Sequence, residues 1–128
     1  MIGGRVLDGS FLIAFASRSS VYAEAAVWAA MDRGVVLVVS STATAVAAAQ
    51  LTGKDLPVLE VLLALPVTMA DELTTARARA VAEVAAELDT DLLTAHVVAC
   101  ARDREWPLIT AEPDRYRGRA GVEVEPLP

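Results

Sequence analysis

The run VVLVV at Val35 to Val39, closed by Gly34 before it and Ser40-Ser41 after it, limits the choice of fold more than any other part of the chain. Four of its five residues are β-branched and none is polar. It lacks the alternation of a strand with one wet face, so it reads as a central strand covered on both faces of a parallel sheet. Parallel strands require crossover connections, and those put helices on the faces of the sheet.

The flanking sequence supplies such connections. Val6 to Asp8 reads as a first strand, with Gly9 and Ser10 turning into an apolar helix over Phe11 to Ala16 that Ser10 can cap. VYAEAAVWAAM, Val21 to Met31, reads as a second helix ended by Gly34. STATAVAAAQLTG predicts a third helix, opened by a capping serine or threonine and ending at Gly53; Leu56 to Leu65 predicts a fourth, stopped by Pro66. Val67 to Ala70 is a short strand. Asp71 to Leu88 is amphipathic: Leu73, Ala76, Ala80, Val81, Val84, Ala85 and Leu88 share a face opposite Arg77, Arg79, Glu83 and Glu87, with Arg79 and Glu83 spaced to pair. Leu92 to Ala101 is apolar nearly all round and is expected to be a buried helix. Leu108 to Thr110 and Val122 to Glu125 read as the last strands, separated by a turn around Gly118 to Gly121. The expectation is one domain spanning 1–128, a three-layer α/β/α unit around a central, mostly parallel sheet.

Composition narrows the function classes. The apolar fraction is 55%, above the usual range of about 45–50%, and the excess in so short a chain suits a subunit interface, hence a homodimer. Apolar runs fall far short of the roughly 18 residues that cross a bilayer, and the start has no signal-peptide pattern, so no membrane association and a cytoplasmic location are expected. One cysteine, Cys100, and one histidine, His96, leave no disulfide and no all-protein zinc cage. A formal charge of −6 argues against gripping nucleic acid by charge alone. It does not exclude a nuclease, whose metal site is itself acidic.

In open α/β sheets ligands sit beyond the carboxyl ends of the strands. Asp8, the Asp89/Asp91 pair and the Glu112/Asp114 pair all fall there. Carboxylates converging on one crevice suit Mg²⁺ or Mn²⁺ and metal-assisted phosphodiester hydrolysis. Each has a simpler reading: Asp8 as a turn residue, Glu112 and Asp114 as surface acids around Pro113, and Ser10 as a cap. His96 and Cys100 read as packed core residues, and Trp28 and Trp106 as core or interface anchors. Arg115, Arg117 and Arg119 read as a solvated turn or as phosphate contacts. TGKD at Thr52 to Asp55 lacks the glycine of a phosphate loop, and no Gly-x-Gly-x-x-Gly follows a strand.

VLDGSFLIAFA and TAHVVACARDREWPLITAEPDRY, together with the closing GVEVEPLP, resemble the PIN domain, the ribonuclease fold of VapC-type toxins, nearly end to end. The resemblance implies a metal-dependent endoribonuclease with an acidic tetrad, a possible RNA substrate and an antitoxin-like partner. Asp8 matches the first acid and Glu112 conservatively replaces the fourth. Ala45 stands at the second position and Thr94 at the third, so the tetrad is depleted and Mg²⁺ or Mn²⁺ binding should be weak. On this reading Asp8 and Glu112 hold the ion and Asp91 assists through water, while Ser10, Thr94, Thr110 and Arg115 line the substrate side. The alternative is a non-catalytic module that binds RNA or an antitoxin-like peptide on the same fold.

Overall fold

A computed structural model describes residues 3–118 and 121–128. Arg119, one of the three clustered arginines, lies outside the described residues. Twelve elements follow in chain order: β1 (Gly4–Leu7), α1 (Gly9–Ala16), α2 (Val21–Arg33), β2 (Val36–Ser40), α3 (Ser41–Gln50), α4 (Leu56–Leu63), β3 (Thr68–Asp71), α5 (Thr75–Leu88), α6 (Leu92–Arg104), β4 (Leu108–Thr110), a 3-10 turn over Pro113–Arg115 and β5 (Val124–Pro126).

The strands form one sheet in the order β3-β2-β1-β4-β5, and every pairing among the described residues is parallel. β2, the VVLVV strand, pairs with β1 on one side and β3 on the other, and Leu37, Val38, Val39 and Ser40 are buried. Helices α1, α2 and α4 gather on one face, while α6 crosses β1 and β2 on the other and α5 stacks on α6. The fold is thus a three-layer α/β/α domain. All eight residues from Thr94 to Ala101 on α6 are buried, as its unbroken apolarity requires.

Several local expectations shift. Asp8, not Ser10, caps α1: its carboxylate accepts from the amide of Phe11. Ser40 takes the cap of α3, which ends at Gln50, short of Gly53. Asp71 belongs to β3, opposite Ser40, and α5 starts only at Thr75 behind a Thr74 cap. Its expected apolar face is therefore only partly used. Val81 is buried, but Leu73, Ala76 and Ala80 are exposed, because α5 leans on α6 and does not reach the sheet broadly. The ion pairs that hold α5 are Arg77 with Asp71 and Asp103, and Glu87 with Arg102, where Arg79 with Glu83 was expected. Trp28 is 73% exposed and so is not a core residue. Trp106 lies over Gly4, where any added Cβ would fall 2.2 Å from its ring.

Candidate functional site

Asp8 emerges from the carboxyl end of β1 and is 2% exposed. Its two oxygens accept from four donors. Oδ1 takes the Ser10 hydroxyl at 2.7 Å and the Phe11 amide at 3.0 Å; Oδ2 takes the Thr110 hydroxyl at 2.7 Å and the Tyr116 phenol at 2.9 Å. A carboxylate offers about four lone-pair directions, so none remains. The same two hydroxyls accept the loop amides beyond β4, Ser10 from Ala111 and Thr110 from Glu112. One buried charge thereby ties the β1–α1 turn to the chain after β4. Burial and the neighbouring Asp8 charge push the Tyr116 phenol well above its ordinary pKa, so it stays a donor.

Asp8, Ser10, Asp91, Glu112 and Arg115 line one crevice of about 290 Å³, with Val46, Gln50 and Tyr116 on its walls. Thr94 and Thr110 lie buried just behind it. Asp91 caps α6, its Oδ1 accepting the Thr94 amide at 2.7 Å. Glu112 accepts from Arg115 Nε at 2.9 Å, and Arg115 also donates to Thr94 Oγ1 at 3.3 Å. Arg117 pairs instead with Asp114, outside the crevice. Ala45, which the resemblance aligns with the second acid, is exposed, while Val46 and Gln50 of α3 line the crevice and Val46 packs against Gly9. Starting α3 at Ser41 sets that phase, and the position is non-acidic either way.

A second polar cluster is absent from the sequence reading. Asp71, at the end of β3, accepts from His96 Nε2 at 2.8 Å, from Arg77 through two nitrogens at 3.1 and 3.2 Å, and from Arg104 at 2.9 Å. His96 is completely buried and its Nδ1 meets the Thr42 hydroxyl at 2.9 Å. Burial alone would push the Asp71 carboxyl up, but the bonds from His96, Arg77 and Arg104 outweigh it and hold the pKa down to about 2. Asp71, His96 and Cys100 place ligand-type atoms within 4.8 Å of one another. They do not suit a metal: Nε2 points its proton at Asp71, two guanidiniums already neutralise that carboxylate, and burial pushes the Cys100 thiol up to about 12. His96 on a buried helix, with Cys100 and Arg104 one and two turns on, was the available signal; its partner on β3 had none.

No family model matches the chain, and no curated protein matches it either. Among solved structures, a chain of the VapBC2 complex from Rickettsia felis, bound to a DNA fragment from the complex's promoter, superposes with a TM-score of 0.72 over 98% of this chain and 99% of that one. The fold is PIN-like. Sequence identity is 12%, so the likeness carries the architecture alone. The PIN-like crevice fits a divalent ion poorly. Asp8 has no free acceptor, the Glu112 carboxylate is paired with Arg115, and α3 and α6 present Val46, Gln50 and Leu93 to the crevice, none of them acidic.

Proposed function

We propose that this chain is a VapC-like protein of PIN fold that acts by binding, with metal-dependent RNA cleavage weak or lost. The observation that carries the reading is the saturation of Asp8 by Ser10, Phe11, Thr110 and Tyr116. Ligating an ion through Asp8 would break at least one of these bonds inside a buried network, which costs about 1.5–3 kcal/mol for a charged acceptor. With Val46, Gln50 and Leu93 on the crevice walls and none of them acidic, little Coulombic attraction is left to offset that cost.

The neighbouring VapBC2 structure supports an antitoxin-like protein as the partner. The face suited to it lies on α1, α2 and α4, where Trp28 and Val61 stand 73% and 59% exposed beside Phe15, Pro57 and Val58 around a groove of about 410 Å³. Arg18 and Glu24 at its rim give the polar edge that a protein interface requires.

The second reading is residual nuclease activity. It is favoured by the meeting of Asp8, Asp91 and Glu112 in one crevice. Asp8 and Glu112 would then hold Mg²⁺ or Mn²⁺, with Asp91 assisting through water and Ser10, Thr94, Thr110 and Arg115 contacting the hydration shell or the RNA. Calorimetric titration with millimolar Mn²⁺, run beside an RNA cleavage assay, separates the two. The binding reading expects wild type to bind Mn²⁺ no more tightly than Asp8→Ala and to leave RNA intact. Tighter, Asp8-dependent binding with cleavage would establish the nuclease.

A further inference from the structure

The crevice that the resemblance assigns to a divalent ion already contains a cation. Arg115 donates from Nε to Glu112 at 2.9 Å and places a second nitrogen 2.9 Å from the same carboxylate. Its third nitrogen donates to Thr94 Oγ1 at 3.3 Å and stands 3.8 Å from the Asp91 carboxylate. Thr94 and Glu112 sit at the third and fourth positions of the acidic tetrad, one on α6 and one after β4. The guanidinium thus spans two walls that an ion would have bridged.

We infer that Arg115 is a tethered cation that takes the place of a divalent ion in this crevice and holds Glu112, Thr94 and Asp91 together without metal. The inference rests on the binding reading above and deepens it. Guanidinium is charged at every accessible pH, and its planar fork meets several acceptors at once, so it can do a metal's structural task while offering no Lewis acidity and no activated water. Two carboxylates, Glu112 and Asp91, face the one guanidinium, so its charge is matched without a further cation. The contact with Glu112 further raises the basicity of Arg115, while burial opposes it. A divalent ion approaching the crevice meets a like charge held in place by two walls.

Thermal unfolding of wild type, Arg115→Ala, Arg115→Lys and Arg115→Ala/Glu112→Gln, each with EDTA or millimolar Mn²⁺, tests this. Wild type should melt at the same temperature in both. Arg115→Ala should melt lower in EDTA, recover part of the loss in Mn²⁺ and bind Mn²⁺ about tenfold more tightly than wild type. Arg115→Lys, which keeps the charge without the fork, should fall between wild type and Arg115→Ala, and the double variant should lose the rescue. An Arg115→Ala variant that melts like wild type, or melts low without Mn²⁺ rescue, overturns the tethered-cation role and leaves the binding reading standing. Asp8-dependent Mn²⁺ binding by wild type overturns that underlying reading instead. If Arg115→Ala is insoluble, Arg115→Gln, which keeps the length without the charge, is read by the same criteria.

Discussion

Asp8 holds together pieces of chain that are remote in sequence, and a single missing hydroxyl should show it. Tyr116→Phe removes one donor to a buried carboxylate and leaves the ring packed, so it should cost about 1.5–3 kcal/mol in urea unfolding while leaving the domain folded. A cost near zero would mean that Asp8 does not depend on the phenol. The position of Asp8 was legible from its place at the end of a short apolar strand. Its state was not: the Tyr116 and Thr110 contacts span 108 and 102 residues, and no local pattern reports a bond of that separation. Which α3 side chains face the crevice was not legible for a related reason. One residue of helix phase, fixed by the Ser40 cap, decides which side chain meets Gly9.

At the level of elements, α5 is fixed by charge as well as by the apolar contacts of Val81, Val84 and Leu88. Asp71 on β3 joins Arg77 of α5 to His96 and Arg104 of α6. Its folded pKa of about 2 lies below the ordinary 3.8. The stabilisation from this ionised carboxylate is therefore complete above about pH 4 and is lost as the pH falls toward 2. Acid unfolding followed by circular dichroism should show a transition in that window, and Asp71→Asn should flatten it while lowering stability at neutral pH. A pKa shift of that size corresponds to about 2–3 kcal/mol held in the ionised carboxylate. VVLVV, the α6 run and the LIT strand were all legible, because each is long or apolar enough to dictate its own burial. The start of α5 was not. Helical periodicity continues through Asp71 and Leu73, and only pairing of Asp71 opposite Ser40 withdraws them from the helix.

For the whole molecule, the surplus of apolar residues that suggested a homodimer is visible as the Trp28 and Val61 face. Where an adjacent reading frame encodes a small antitoxin-like protein, coexpression with it should yield a complex that Trp28→Asp abolishes without changing the urea midpoint of the isolated chain. Survival of the complex would move the partner to another face. The order β3-β2-β1-β4-β5 has a last consequence, one of timing. β1 can pair with β2 early in folding, yet its other edge waits for Leu108 and Ile109, and Asp8 waits for Thr110 and Tyr116. Closing contacts of such separation is slow. Until the segment from Leu108 to Tyr116 docks, the sheet stays half open and Asp8 stays in water, so one late-folding segment shuts both.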